Sequence, residues 1–292
     1  MKYKTGAAFR QALDAQIQST NKNTGLPLSR LRKLVAFDRF LVRLFHDQPD
    51  GWVLKGGFAL QLRLGERART TKDIDLLARE QGIDIGTALQ AVGLLDMGDH
   101  FLFELEPTAE TVVEALGVLR FNIRSRLDNR MFETFHIDVG VGDPVIGAIE
   151  YLETTDLLAF AEIEPTCVPC YPITQQIAEK LHAYSQTYRS GSSSRVKDFV
   201  DLLLLAELGD FNNSELEKAI AATFKNVGKH EIPKSISAPP RNWLQTYRRM
   251  SGDVGLEASF DEAYIMLQQF LDPVLAGSIG EAKWNSSKWV WG

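Results

Sequence analysis

The sequence predicts a mixed α/β (α+β) sheet domain followed by an all-helical domain. In the first half, strand-like and helix-like stretches alternate. The strand-like stretches cover residues 71–78, 116–123 and 131–141, and an amphipathic helix covers residues 29–45. In the second half, apolar residues keep helical spacing only, at residues 173–188, 196–208, 214–224 and 261–271. We expect the boundary between the domains in the proline-rich residues 164–172, and a flexible connection at residues 191–194.

The composition is that of an ordinary globular protein, with 45% hydrophobic and 24% charged residues in 292. A net charge of −6 argues against an indiscriminate polyanion binder but leaves room for a local basic patch. No apolar run is long enough to span a membrane, and the N-terminus lacks a signal sequence. Cys167 and Cys170 are interpreted as reduced residues in an extended loop; a redox pair or half a zinc site is the alternative. These features predict a cytoplasmic protein.

A glycine pair separates an apolar strand from a helix. Lys55-Gly56-Gly57 follows the apolar run at residues 52–54 and precedes the helical spacing of residues 58–64. Glycines let the backbone turn tightly and approach a ligand, and the helix N-terminus offers unpaired N–H groups to phosphate oxygens. A purely structural turn is the alternative interpretation.

Two acids lie two residues apart on the next predicted strand. Asp73 and Asp75 project from one face while Ile74 points into the core. Two close carboxylates repel each other, and a divalent cation such as Mg²⁺ or Mn²⁺ removes the repulsion. The alternative is an exposed polar sheet edge.

A third acid, Asp138, lies on the predicted strand at residues 131–141. It could complete a two-metal site or act as a general base. His136 shares its face, and we expect a packed or solvated histidine there.

The helical half carries a second charged cluster. Asp198 and Asp201 share one helical face, because they are three residues apart. That face could hold Lys180 in a structural salt bridge, or it could bring Lys180, Arg195 and Lys197 toward a triphosphate.

Taken together, residues 55–60 and 69–76 resemble the opening motif of the nucleotidyltransferase superfamily. The wide spacing between the glycine pair and Asp73, and the pattern Arg-x-Thr-x-Asp that begins at Arg69, resemble one branch of this superfamily. That branch is the AbiEii/AbiGii toxin family, which includes the MenT toxins. Residues 177–183 and 195–202 are similar to the downstream motif of that branch. The resemblance covers roughly residues 30–210.

The resemblance implies a nucleotidyltransferase domain over residues 1–165, with N-terminal helices, and a helical domain over residues 166–292 that completes an active-site cleft. It implies transfer of a nucleoside monophosphate from an NTP, with pyrophosphate leaving. The acceptor would be RNA, the tRNA 3′ end above all, so that blocked aminoacylation stops growth. A cognate AbiEi-like antitoxin would be the partner protein.

The resemblance also implies residue roles. Metal would be held by Asp73 and Asp75, and phosphates by the nucleotide-binding residues Lys55, Gly56, Gly57, Arg69 and Lys180. Asp201 would support Lys180 or the acceptor, with Asp198 and Asp138 as further catalytic acids. One departure is Phe58, where many relatives carry Ser or Thr, so a hydroxyl contact to phosphate is lost.

Two rival functions stay open at this level. One is a nucleotidyltransferase that modifies a protein or a small molecule, and the other is a non-catalytic module that binds a nucleotide or a partner. Basic residues of the helix at residues 29–45 could guide an RNA backbone or line a solvated face; they are Arg32, Lys33, Arg39 and Arg43. The Trp-rich tail is expected to dock on the helical domain, with a partner surface as the alternative.

Overall fold

The computed structural model describes residues 1–292 except residue 81 and residues 107–110, 114–117 and 187–194. The helices are α1 (Gly6–Thr24), α2 (Leu28–Asp47), α3 (Gly56–Leu64), α4 (Ile85–Gly93), α5 (Ile173–Ser185), α6 (Val196–Glu207), α7 (Asn213–Val227), α8 (Leu244–Asp253) and α9 (Phe260–Leu275). The strands are β1 (Trp52–Lys55), β2 (Asp73–Ala78), β3 (Phe101–Leu105), β4 (Thr111–Val113), β5 (Val118–Leu127), β6 (Arg130–Val141), β7 (Glu150–Glu153), β8 (Cys167–Cys170), β9 (Trp284–Asn285) and β10 (Val290–Trp291).

The mixed α/β fold class is confirmed, with shifted element ends. The predicted strands at residues 116–123 and 131–141 are longer than expected, because β5 and β6 continue to a two-residue turn at Asp128 and Asn129. Both turn residues have positive φ, 53° and 57°, which suits the twist of a tight hairpin. Residues 116–117, 187–188 and the predicted flexible connection at 191–194 lie outside the described residues. The sequence does not predict helices α1, α4 and α8 or strands β3, β4, β7, β8, β9 and β10, and the strands β9 and β10 depart from the all-helical second domain.

The predicted loop around Cys167 contains strand β8. This strand pairs with β7 in antiparallel register and with β1 in parallel, where Cys170 lies opposite Leu54. Partner strands distant in sequence therefore impose a strand on a proline-containing segment. Both cysteines are free, with Cys167 exposed and Cys170 buried.

The chain divides into two compact units. The first comprises Met1–Leu62, Thr70–Gly142 and Glu150–Cys170. Its sheet has eight strands among the described residues, in the order β3-β5-β6-β2-β1-β8-β7, with β4 paired to β5. The pairs β2–β6 and β1–β8 are parallel, and the other pairs are antiparallel. Parallel pairing of β2 with β6 is what brings the predicted acids onto neighbouring strands.

One face of this sheet packs against the helices of the first unit through aromatic side chains. Phe37 on α2 contacts Phe135 on β6 and Phe58 on α3, with ring centroids 5.0 and 5.1 Å apart. Phe40 contacts Phe103 on β3 at 5.4 Å. Burying each such ring contributes about 1.5–3 kcal/mol. The position after the glycine pair, occupied by Phe58, therefore belongs to the core.

Two of the arginines expected to face solvent on α2 are buried. Arg43 is 0% exposed and donates to both carboxylate oxygens of Asp99, and Arg39 is 4% exposed within the same cluster. A buried guanidinium cannot guide an RNA backbone, so this interpretation is wrong for both residues. Arg32 and Lys33 keep partial exposure and are paired with acidic side chains.

The second unit comprises Arg63–Arg69, Asp143–Ile149 and Tyr171–Gly292. Its central helix is α6, of which four consecutive leucines, residues 202–205, are 0% exposed. The tail forms the β9–β10 hairpin, whose Trp289 and Trp291 donate their indole N–H groups to carbonyls of α9. The tail thus packs on its own helical unit, as the sequence predicts. Across the described residues, no helix has the length and apolar character needed to cross a membrane.

Candidate active site

The glycine pair lies against the carboxylate of Asp75. The backbone N–H of Gly57, in the first turn of α3, donates to Oδ2 of Asp75 at 3.3 Å. Gly56 has a φ of 65°, and a Cβ added there would lie 2.0 Å from the same oxygen. A side chain at residue 56 is therefore excluded twice, by the backbone conformation and by the acid. The close approach of Asp75 therefore requires glycine at residue 56, whether or not a phosphate also approaches there.

Asp73 and Asp75 share one face of β2, as predicted. Both are half-buried, while Ile74 between them is fully buried on the opposite face. The hydroxyl of Thr71 donates to Oδ1 of Asp73 at 3.0 Å, which orients that carboxylate. The two residues thus lie about 6.6 Å apart along one strand, because each residue advances the strand by about 3.3 Å.

A row of charged residues crosses four strands at the level of Asp75. In backbone register, Lys55 on β1 lies opposite Asp75, Asp75 lies opposite Asp138 on β6, and Asp138 lies opposite Arg120 on β5. Residues directly opposite one another on paired strands project from the same face. The structure therefore brings three of the predicted site residues, Lys55, Asp75 and Asp138, together in one row.

Arg120 is the site residue that the sequence analysis missed. Its Nε and Nη2 atoms donate to the two carboxylate oxygens of Asp138 at 2.7 and 2.6 Å. These hydrogen bonds raise the pKa of the Arg120 guanidinium against the opposing effect of burial, and the charges of Asp138, Asp73 and Asp75 raise it further. Arg120 lies in the strand stretch predicted from sequence, but only the pairing with β6 identifies its partner.

The acid pair suits a divalent cation that also binds phosphate. Mg²⁺ takes one or two carboxylates and completes its shell with water and substrate oxygens. Asp73 and Asp75 offer such a pair, while the carboxylate of Asp138 is occupied by Arg120. The described part of the chain holds no cluster of three His, Cys, Asp or Glu side chains suited to a metal. Asp73 and Asp75 therefore fit a cation whose coordination shell is completed by oxygens of the substrate.

The second unit carries the other predicted site residues as a buried ion-pair cluster. Asp201 is 0% exposed and accepts from Arg69 Nε at 2.9 Å and Nη2 at 3.0 Å, and from Lys180 Nζ at 2.9 Å. Asp198 lies 3.2 Å from Lys180 Nζ and accepts from Arg195 Nη1 at 3.0 Å. Among the described residues, the cations of Arg69, Lys180 and Arg195 thus contact these two carboxylates.

Electrostatics keeps this cluster charged. Burial opposes the ammonium of Lys180, but Asp201 and Asp198 outweigh it and hold its pKa above the ordinary value. Burial likewise opposes the carboxylate of Asp201, but Lys180 and Arg69 hold its pKa below the ordinary value. The salt-bridge alternative for Lys180 is therefore realised, and a contact of Lys180 with nucleotide phosphates stays a prediction.

Comparisons with solved structures show which known proteins share this fold. MenT4, a nucleotidyltransferase toxin from Mycobacterium tuberculosis H37Rv, has the same fold, with a TM-score of 0.56 at 14% identity over 89% of this chain and 98% of that one. JHP933 from Helicobacter pylori gives a TM-score of 0.50 at 15% identity over 84% and 92% of the two chains. A search of the curated proteins gave no significant match.

A family model that matches most of the chain shows a nucleotidyltransferase. The match to a family model then gives the family: residues 39–266 fit the model described as nucleotidyl transferase AbiEii toxin of type IV toxin–antitoxin systems. The chain belongs to the AbiEii family. The resemblance drawn from the sequence motifs is confirmed at this level.

Proposed function

We propose that this nucleotidyltransferase transfers a nucleoside monophosphate from an NTP to the 3′ end of an RNA, with tRNA as the acceptor, and that it uses Mg²⁺ or Mn²⁺. The observation that carries the proposal is the position of Asp75, which accepts from Gly57 N–H at the start of α3 and shares a face with Asp73. A helix N-terminus beside two carboxylates gives phosphate oxygens both N–H donors and a cation site.

The residues of the candidate site have different proposed roles. Asp73 and Asp75 hold the divalent cation, which when bound neutralises charge on the triphosphate. Lys55, beside Asp75 in the row, and the N–H groups at Gly56 and Gly57 bind phosphate oxygens, with the N–H of Gly57 exchanging Oδ2 of Asp75 for a phosphate oxygen. Arg120 occupies both carboxylate oxygens of Asp138.

The reaction is an in-line displacement. The acceptor hydroxyl oxygen forms a bond to the α-phosphorus, the α–β phosphoanhydride bond breaks, pyrophosphate leaves and the hydroxyl proton passes to solvent. Because the protein takes part in little covalent chemistry, catalysis depends on positioning the reactants and on electrostatic stabilisation. Lys180 and Arg69, supported by Asp201, are proposed to contribute nucleotide contacts. A tRNA with extra 3′ nucleotides would not be aminoacylated, which accounts for toxicity, and an AbiEi-like antitoxin is the proposed partner.

The test supplies each α-³²P-labelled NTP with deacylated tRNA, cell protein or small hydroxyl compounds, with Mg²⁺ and with EDTA. We expect label on the tRNA 3′ end, lost with EDTA and in Asp73→Asn and Asp75→Asn. Label on protein or small molecules alone would reject RNA as the acceptor. Growth arrest that persists in Asp73→Asn would support the non-catalytic alternative.

A further inference from the structure

The polar face of the first unit's sheet continues beyond the acids as a row of arginines on β5. Every second position of β5 is polar from residue 120 to residue 126. These positions hold Arg120, Asn122, Arg124 and Arg126. Register places Arg120 beside Asp138, Asn122 beside His136 and Arg124 beside Thr134. His136 in turn lies directly opposite Asp73. The row therefore starts at the candidate active site and leads away from it on the same face.

These arginines remain accessible. The side chains of Arg120, Arg124 and Arg126 are 35%, 40% and 32% exposed. Along the strand, about 13 Å separates Arg120 from Arg124 and about 6.6 Å separates Arg124 from Arg126, so the row spans about 20 Å. The separation of Arg124 and Arg126 suits consecutive phosphates of an extended single strand, whereas an RNA duplex presents its phosphates along a curved groove.

Two glutamates of the same face hold the outer arginines. Glu106 accepts from Arg124 Nη2 at 3.0 Å, and Glu104 accepts from Arg126 Nε at 3.0 Å. Both glutamates are about as exposed as the arginines, at 31% and 38%. Exposed ion pairs contribute little to folding, so a phosphate can replace the glutamate at small cost. Among the residues that the structure describes, the buried Nε–H of Arg124 has no hydrogen-bond partner.

We propose that this β5 arginine row binds the single-stranded 3′ segment of the RNA acceptor, with Arg124 and Arg126 on its phosphates and Asn122 and His136 flanking the terminal nucleotide. Glu104 and Glu106 occupy the two arginines until the RNA displaces them. The inference rests on the proposed function, because it names the surface that would hold that acceptor.

The experiment measures nucleotidyl transfer to tRNA by Arg124→Gln and Arg126→Gln, and separately by Glu104→Gln and Glu106→Gln. Arg130→Gln is the matched control, because Arg130 is exposed and lies opposite Leu127, whose side chain is buried in the core. Each arginine variant is expected to raise the KM for tRNA about 3–10-fold, leave the KM for NTP unchanged and reduce the salt slope by about 0.7. Each glutamate variant should lower the KM for tRNA about 2–5-fold.

The KM for tRNA should change in opposite directions in the arginine and the glutamate variants, which distinguishes RNA binding from a structural role. Breaking a structural ion pair from either side would change this KM in the same direction. An unchanged KM and salt slope in both arginine variants, or a raised KM in the glutamate variants, overturns the inference while transfer to tRNA by the wild type stands. No transfer to RNA by the wild type overturns the inference and the proposed acceptor together. Melting temperatures within a degree of wild type exclude misfolding as the cause.

Discussion

Arg120 on β5 donates hydrogen bonds to both carboxylate oxygens of Asp138 on β6, although Asp138 lies directly beside Asp75 in the sheet register. The pairing occupies both oxygens of the third acid, while the charges of Asp73 and Asp75 also act on Arg120. An arginine at this position neutralises a carboxylate that would otherwise repel Asp75. It also competes with any cation for the oxygens of Asp138.

The first prediction concerns cation affinity. Arg120→Gln frees the carboxylate of Asp138 beside Asp75, so we expect Mn²⁺ to bind about 3–10-fold more tightly in the absence of nucleotide. Electron paramagnetic resonance of free Mn²⁺ measures the affinity. The double variant Arg120→Gln/Asp138→Asn should lose the gain. Equal affinity in wild type and Arg120→Gln would mean that Asp138 cannot reach the cation.

The second prediction concerns Gly56. Gly56→Ala should abolish transfer and lower the free energy of unfolding by about 2–5 kcal/mol, because the new Cβ meets Asp75 and the backbone has positive φ. Gly25→Ala is the control: its φ is 74° and no atom lies within 4 Å, so only the backbone cost of about 1–2 kcal/mol applies.

Urea unfolding followed by circular dichroism measures both glycine variants. Adding Asp75→Gly to Gly56→Ala removes the three atoms nearest to the new Cβ, so part of the lost stability should be recovered while transfer stays absent. A Gly56→Ala protein as stable as Gly25→Ala would contradict the close approach of Asp75.

The third prediction concerns the buried pair of Lys180 and Asp201. Asp201→Asn leaves Lys180 and Arg69 without their shared carboxylate, so it should lower the free energy of unfolding by about 3–5 kcal/mol at neutral pH. Four of the five tryptophans lie in the second unit, so tryptophan fluorescence follows its unfolding.

The pH dependence of this difference has a definite sign. The pKa of Asp201 is lowered in the folded state, so its contribution is present above its ordinary value of 3.8 and is lost as pH falls through the folded value. The pKa of Lys180 is raised, so its contribution is present below 10.5 and is lost only as pH rises through the folded value. The difference between wild type and Asp201→Asn should be flat from pH 5 to pH 9 and shrink below pH 3.8. A difference that disappears by pH 6 would rule out this pairing.

The fourth prediction concerns His182, whose ring packs 4.5 Å from that of His230. Burial, followed by His230, Lys229 and Arg195, lowers the pKa of His182 to about 4. The unfolded chain therefore takes up a proton near pH 6.5 that the folded chain refuses until about pH 4, and stability falls across that window as pH decreases.

His182→Gln should weaken the fall in melting temperature between pH 7 and pH 5, as measured by tryptophan fluorescence. His46→Gln is the control, because His46 is exposed. An unchanged pH dependence in His182→Gln would show that another group, such as His230, carries the effect.

The sequence by itself determined the local features of the candidate site. The two-residue period of a strand placed Asp73 and Asp75 on one face, and the three-residue spacing on a helix placed Asp198 and Asp201 on another. The glycine pair marked the turn from β1 into α3. These relationships hold within one element and depend only on backbone periodicity.

Only the tertiary structure decided which elements meet and in what register. The pairing of β2, β6 and β5 set Asp75, Asp138 and Arg120 side by side, although Arg120 and Asp138 are 18 residues apart in the chain. Packing also buried Arg39 and Arg43, whose spacing on α2 looks like that of a solvated face. Strand register and the burial of charge depend on partners distant in sequence, so local periodicity cannot determine them.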